Sequence, residues 1–261
     1  MKDPLSPSGP THCCVDGTGK WLLASNYGHG SCVVYEITEM GTLGRVADTR
    51  SFGSELRPSH AHCGAFSPDN AHAFICDLGL DGIHQFEFDE RTGRLRSNRH
   101  EPFVHSSPGS GPRHIAFHPR GTAAYTINEH DSTVDTFAYL GRDSGRLRRQ
   151  QTLPTLPAHF EGQSYCAEIK VSADGRHVYG SNRAVEPARS SVVCFAVLDS
   201  PGAPQDTALQ QVGWVGESIS WPRGMSLSPS GRHVIVANQR GRYGDTIAVF
   251  DRDERTGESI L

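Results

Sequence analysis

The chain has 261 residues, a net charge of −4 and 21% charged residues. It contains no basic run, which excludes an electrostatic nucleic-acid binder, and no stretch approaches the ~18 apolar residues of a membrane-spanning helix. It holds 28 Gly and 16 Pro, but the turn signals recur with a period, and that separates it from low-complexity disorder.

The opening residues Met1-Lys2-Asp3-Pro4 contain no apolar h-region, so no secretory signal and a cytoplasmic location are expected. Seven cysteines (Cys13, Cys14, Cys32, Cys63, Cys76, Cys166 and Cys194) form an odd set without framework spacing. They are expected as free thiols, most of them small buried residues on strands. The 14 histidines are scattered. No Cys-x-x-Cys occurs and no His-x-x-x-His pair lies on a convincing helix, so no metal and no cofactor are expected.

Self-similarity organises the chain. The first copy runs from Pro10-Thr11-His12 through the Asp16-Gly17-Thr18-Gly19 turn to Trp21 to Asn26 and Tyr27. The second runs from His60-Ala61-His62 through Ser67-Pro68-Asp69-Asn70 to Ala73 to Asp77 and Leu78. The third runs from Gly111-Pro112-Arg113-His114 through His118-Pro119-Arg120-Gly121 to Tyr125 to Asn128 and Glu129. The fourth runs from Cys166-Ala167-Glu168 through Ser172-Ala173-Asp174-Gly175 to Val178 to Asn182 and Arg183. The fifth runs from Pro222-Arg223-Gly224 through Ser228-Pro229-Ser230-Gly231 to Val234 to Asn238 and Gln239.

Equivalent positions Thr11, His62, Arg113, Ala167 and Arg223 are 51, 51, 54 and 56 residues apart. A further strand follows each Asn-type residue: Ser31 to Ile37, Gly82 to Phe88, Thr133 to Tyr139, Ser191 to Val197 and Thr246 to Asp251. Several of these alternate apolar and polar residues, as half-buried strands do. A Thr-Gly or Ser-Gly turn then recurs at Thr92-Gly93, Ser144-Gly145 and Thr256-Gly257, and a fourth strand is expected after each. Four short strands per repeat of about fifty residues predict an all-β fold, a β-propeller of four-stranded blades with five blades recognisable. The stretches 48–59, 152–164 and 199–217 read as loops between blades. No linker divides the chain, so a single domain over 1–261 is expected.

Symmetry places two columns of polar residues. One lies where the first strand of each copy begins: His12, His62, Arg113 with His114, Glu168 and Arg223. The other lies at the end of the second strand: Tyr27, Leu78, Glu129, Arg183 and Gln239. If those strands are antiparallel neighbours, both columns share one rim, where charge that packing alone would not bury converges. The alternative is a solvated rim of Arg–Glu pairs that joins blades. His60 and His62, two apart, would share one strand face; proton transfer fits them better than a metal without a clear third ligand. The Asn and Asp column (Asn26, Asp77, Asn128, Asn182, Asn238) reads as structural, bonding local backbone at a strand end.

The ordered set Ala-Ser-Asn-Tyr-Gly, Ser-His-Ala-His, Gly-Pro-Arg-His-Ile-Ala-Phe-His-Pro, Asn128-Glu129, Ala-Glu-Ile, Ser-Asn-Arg and Pro-Arg…Ala-Asn-Gln resembles the lactonase family of seven-bladed propellers. That family includes bacterial cytosolic 6-phosphogluconolactonases and fungal 3-carboxy-cis,cis-muconate cyclases. The resemblance covers nearly the whole chain. It implies that about the first blade and a half and a closing outer strand are missing here, a truncation at both ends. Pro58 stands one residue earlier than the family's Pro before His-x-His.

The resemblance implies a hydrolase of a small anionic lactone, 6-phosphogluconolactone-like, in carbohydrate metabolism by the pentose phosphate pathway. His62, Glu129, Arg113 and Arg183 would be catalytic, with His60, His114, Glu168, Arg223 and Gln239 binding substrate. Arg suits bidentate anion capture, and Glu129 or His62 would activate water. A muconate cyclase-type lactonising enzyme and a non-catalytic binding scaffold are the alternatives. The expected partner is the small anionic lactone, with no nucleic acid and no membrane.

Overall fold

A computed structural model describes residues 9–198, 204–257 and 259–260. The described strands fall into five sheets. The first contains β1 (Pro10–Val15), β2 (Trp21–Asn26), β3 (Ser31–Ile37) and β4 (Leu43–Ser51). The second contains β5 (Ala61–Phe66), β6 (His72–Asp77), β7 (Gly82–Asp89), β8 (Arg94–Ser97) and β9 (Phe103–His105). The third contains β10 (Pro112–Phe117), β11 (Ala123–Asn128), β12 (Thr133–Tyr139) and β13 (Leu147–Pro154). The fourth contains β14 (Ser164–Val171), β15 (His177–Ala184), β16 (Ser191–Leu198) and β17 (Ala208–Val215). The fifth contains β18 (Pro222–Leu227), β19 (His233–Asn238), β20 (Thr246–Arg252) and β21 (Ser259–Ile260).

Strand order follows chain order in each sheet, apart from β9, which pairs with β7. This is the antiparallel meander of a propeller blade. The third strands begin where the repeats place them, at Ser31, Gly82, Thr133, Ser191 and Thr246. All three stretches read as loops are partly strand. β4 extends to Ser51, β13 runs to Pro154 and β14 begins at Ser164 within the stretch 152–164, and β17 occupies 208–215 within the stretch 199–217. Neither β4 nor β17 carries clean period-two burial: β4 has no buried residue, and β17 buries only Leu209. Pairing with β3 and β16 therefore holds them as strands, and as outer strands they have a neighbour on one edge alone.

Burial explains the second strands. β6, β11 and β15 are buried at every position. Their apolar runs therefore lack alternation, as in a strand covered on both faces. β2 alternates instead, burying Trp21, Leu23 and Ser25.

Packing groups the chain into two compact units. One runs up to Ile115 and takes in Tyr139–Arg148; the other comprises Ala116–Ala138 and the chain from Arg149 onward. The core of the first unit includes Trp21, Leu23, Val34, Ile75, Phe86 and Leu95. The second has two clusters, one around Tyr125, Val178 and Phe195 and the other around Tyr179, Val236 and Phe250.

The recurring Thr-Gly and Ser-Gly turns have a packing reason. A Cβ on Gly93 would lie 2.4 Å from the Trp21 ring, one on Gly145 2.0 Å from the His72 ring, and one on Gly257 2.3 Å from the His177 ring. Trp21, His72 and His177 each open the second strand of their sheets. These turn glycines have φ of 73°, 62° and 78°, the left-handed region open to Gly.

Candidate active site

In four of the five sheets the first polar column sits at or beside a β-bulge. Pairing shifts register between Pro10 and His12, between Ala61 and Cys63, between Cys166 and Ile169, and between Pro222 and Gly224. The displaced residues are Thr11, His62, Ala167 with Glu168, and Arg223. A bulge bends the strand and re-aims the extra side chain, so alternation does not tell where these residues point. His60 lies just ahead of β5 and His62 in its bulge, so the two do not share a regular strand face as the sequence suggests.

In the first unit, His62, Arg113 and His114 are nearly sealed from solvent, with exposures of 4%, 3% and 7%. The His62 and His114 ring centroids are 5.1 Å apart, and His12 meets His114 edge-on at 5.2 Å. Arg113 Nη1 lies 3.2 Å from His114 Nε2. A guanidinium can only donate, so His114 accepts there as a neutral ring with its proton on Nδ1. Tyr27 stacks on His60 at 4.4 Å and meets His62 edge-on at 5.8 Å.

The supports are specific. Thr11 Oγ1 donates to the His62 carbonyl at 2.8 Å. Asp77 is fully buried and accepts from the backbone N–H of His60 (2.9 Å), Gly79 (3.1 Å) and Leu80 (3.1 Å). It also accepts from Ser59 Oγ and pairs with His84 Nε2. Burial alone would push its carboxyl up, but the hydrogen bonds from His84, Ser59 and His60 outweigh burial and hold it below the usual carboxylate range. Asp77 thus fixes the turn that presents His60.

In the second unit, Arg183 Nη2 donates to Glu129 Oε1 at 2.7 Å and to the Cys166 carbonyl at 2.8 Å, and its Nε donates to the Tyr165 carbonyl at 3.2 Å. The guanidinium lies 5.7 Å from the Trp221 ring centroid, and exposed Arg240 lies 4.5 Å from that same ring. Trp221 has φ of 53°, an unusual conformation for a bulky residue and one that concentrates at functional sites.

Glu168 is buried, but its Oε1 accepts from Lys170 Nζ and from the Ile169 N–H, both at 3.1 Å. Arg223 is exposed and makes no hydrogen bond or ion pair among the described residues. Gln239 is also exposed, and its backbone N–H donates to the Trp221 carbonyl at 3.1 Å. Of the expected residues, the structure therefore joins His62 with Arg113 and His114, and Glu129 with Arg183. Sequence reasoning missed Trp221, Tyr165 and Arg240. The first adjoins Pro222-Arg223 and the last follows Gln239, so scanning one residue beyond each motif would have found both.

A lactonase family model, described as a 7-bladed β-propeller, matches residues 2–259. The chain belongs to the lactonase family. A 6-phosphogluconolactonase of Formosa agariphila is 34% identical over 257 residues, covering 95% of this chain and 68% of that protein. A 6-phosphogluconolactonase of Bacillus subtilis is 29% identical, covering 97% and 68%. The periplasmic gluconolactonase of Pseudomonas aeruginosa superposes with a TM-score of 0.83 at 33% identity, covering 97% of this chain and 68% of that one. Five sheets beside a seven-bladed family fit those shares.

Within this lactonase, the expectation for the cysteines holds. All seven are free, and Cys32, Cys63, Cys76, Cys166 and Cys194 are buried. Burial pushes the Cys32 and Cys166 thiols up to about 12, so neither supplies a thiolate nucleophile near neutral pH. The Asn and Asp column is structural, but most of its partners lie on a neighbouring segment rather than on the local backbone. Asn128 Nδ2 donates to Thr133 Oγ1, Asn182 Nδ2 to the Thr155 carbonyl, and Asn238 Nδ2 to the Ser218 carbonyl.

Proposed function

We propose that this chain hydrolyses a small anionic sugar lactone, with 6-phosphogluconolactone as its substrate. The names of the relatives support this reading. The observation that carries it is the buried Arg113 guanidinium 3.2 Å from His114, whose ring is 5.1 Å from that of His62. A fixed cation beside imidazoles suits the addition of water to an ester carbonyl. The cation stabilises the tetrahedral oxyanion. A neutral imidazole removes the proton from water and returns it to the departing ring oxygen, leaving a hydroxy acid.

Two groups are candidates for the base, one in each unit. His62 is favoured by its neighbours His114 and Arg113. Glu129 is favoured by its orientation: Arg183 fixes one carboxylate oxygen while the side chain keeps 19% exposure. On this reading Arg183 chiefly orients Glu129, because its Nε and Nη2 are already engaged.

Hydrolysis of freshly generated 6-phosphogluconolactone near neutral pH, measured against the spontaneous rate, tests the reading. A rate above background that Arg113→Ala abolishes supports it. No rate above background from protein that melts cooperatively overturns it. A cytoplasmic location is part of the proposal, since an odd set of free thiols suits a reducing compartment. Cell fractionation tests that part.

A further inference from the structure

The second sheet is unlike the others at its outer edge. Both β8 and β9 pair with β7, at Phe86–Asp89 and at Gly82–His84, and residues 98–102 loop out between them. Gln85 holds this detour. Its N–H donates to the Pro102 carbonyl at 2.9 Å, its Nε2 to the Glu101 carbonyl at 2.8 Å, and its carbonyl accepts the Asn98 N–H at 2.9 Å. The fourth strands of the first, third and fourth sheets run unbroken for 9, 8 and 8 residues.

The detour borders a hollow of about 600 Å³, closed on its other side by the end of β4 and the turn after it. The hollow's inner wall is aromatic. Phe52 stacks on His84 with ring centroids 3.9 Å apart, and Phe103 meets His84 edge-on at 4.8 Å. Its polar lining is cationic or neutral: Arg50, Arg57, His84 and His105 contribute, and no Asp or Glu does. In a chain of net charge −4 this is a local reversal of sign.

Arg50 and His84 are held in place. Arg50 Nη2 donates to Asp48 Oδ2 at 2.9 Å and to the Leu95 carbonyl, and its buried Nε–H has no partner among the described residues. Asp77, held ionised by its hydrogen bonds, accepts from His84 Nε2 at 3.0 Å and fixes that ring. Arg57 sits on a tight turn closed by the Ser54–Arg57 backbone bonds and the Gly53–Pro58 bridge, and no ion pair holds its guanidinium among the described residues.

We propose that this hollow binds a small organic anion bearing a planar aromatic ring, of mononucleotide size. The Phe52, His84 and Phe103 wall takes the ring, and Arg50 with Arg57 takes the anionic group. Stacked and edge-to-face aromatic pairs attract beyond simple area burial, and Arg forks match phosphate and carboxylate oxygens. The volume lies within the usual ~300–1,000 Å³ of small-molecule sites. Arg50 and Arg57 have no part in the lactone chemistry proposed above, and His84 touches it only through Asp77 beneath the His60 turn, so Arg57 variants keep the two readings apart.

Calorimetric titration of the full chain with adenosine 5′-monophosphate, adenosine and inorganic phosphate tests the proposal. Saturable binding of the nucleotide is expected, at least about tenfold tighter than adenosine or phosphate alone and weakened by salt. Arg57→Ala should weaken it about tenfold and Arg57→Glu should abolish it, with lactone hydrolysis unchanged in both. Arg57 lies on an exposed turn, so both variants should fold. No saturable heat with the nucleotide overturns the proposal. So does phosphate binding as tightly as the nucleotide, or nucleotide binding unaltered by Arg57→Glu.

Discussion

Arg183 donates to Glu129 across 54 residues of sequence at 2.7 Å, with the guanidinium side chain 4% exposed and the carboxylate 19% exposed. The cation is the buried partner and the carboxylate the reachable one.

Glu129→Gln keeps the shape and can still accept from Arg183, but it cannot take up a proton. If Glu129 is the base, kcat on the lactone falls about 10²- to 10⁴-fold with little change in melting temperature. If His62 is the base, the loss appears in His62→Gln instead. Arg183→Ala behaves differently. It leaves the Tyr165 and Cys166 carbonyls and a carboxylate without their donor and should cost about 3–5 kcal/mol. Urea unfolding alongside initial rates separates these outcomes.

The turn glycines make a graded series. Gly145→Ala places a Cβ 2.0 Å from the His72 ring at φ of 62°, which combines overpacking with backbone strain. Gly109→Ala, at φ of 77° with nothing within 4 Å, carries strain alone. Gly109→Ala should cost about 1 kcal/mol, and Gly145→Ala about 1–3 kcal/mol more. Equal unfolding midpoints in urea for the two variants would refute the packing account of the recurring turn.

Stability should fall with mild acid. His72 and His177 both lie below the ordinary histidine value, chiefly because burial disfavours the charged ring, with Arg252 adding to the effect at His177. The unfolded chain therefore binds these protons first. The stabilisation is complete above about pH 6.5 and is lost as pH drops below it toward the folded values. The urea midpoint should decrease between pH 7.5 and 5.5, and His177→Gln should flatten that slope. A second loss belongs to Asp77 and Asp174, whose carboxyls are held low by hydrogen bonds that outweigh burial. Their contribution is present above about pH 4 and disappears in stronger acid.

Asp77→Asn probes the support beneath His60. Asn keeps one acceptor oxygen where the carboxylate uses both, and its amide nitrogen would oppose the Ser59 hydroxyl or His84 Nε2. A loss of about 1–3 kcal/mol is expected from the buried mismatch, together with lower lactone turnover. Turnover equal to that of the parent, at a temperature where the variant is fully folded, would show that the His60 turn does not serve the reaction.

The repeat pattern determined much by itself. Five copies of one turn-and-strand phrase gave the five sheets and the start of every third strand, because these depend on neighbours within a few residues. Burial alternation and turn chemistry are local properties, and local properties are written in order along the chain. The sequence also placed His62, Arg113, Glu129 and Arg183 at strand ends.

Tertiary structure decided which partners those residues meet. Bulges re-aim the first column, so the two-residue spacing of His60 and His62 says nothing about a shared face. Glu168 turns to Lys170, Arg223 stays exposed, and Arg183 is spent on Glu129 and two carbonyls. β17 exists because β16 offers it an edge, and the hollow beside β8 and β9 exists because Gln85 holds a detour open. Each of these depends on partners that meet only when the sheets assemble, and no period along the chain records such a meeting.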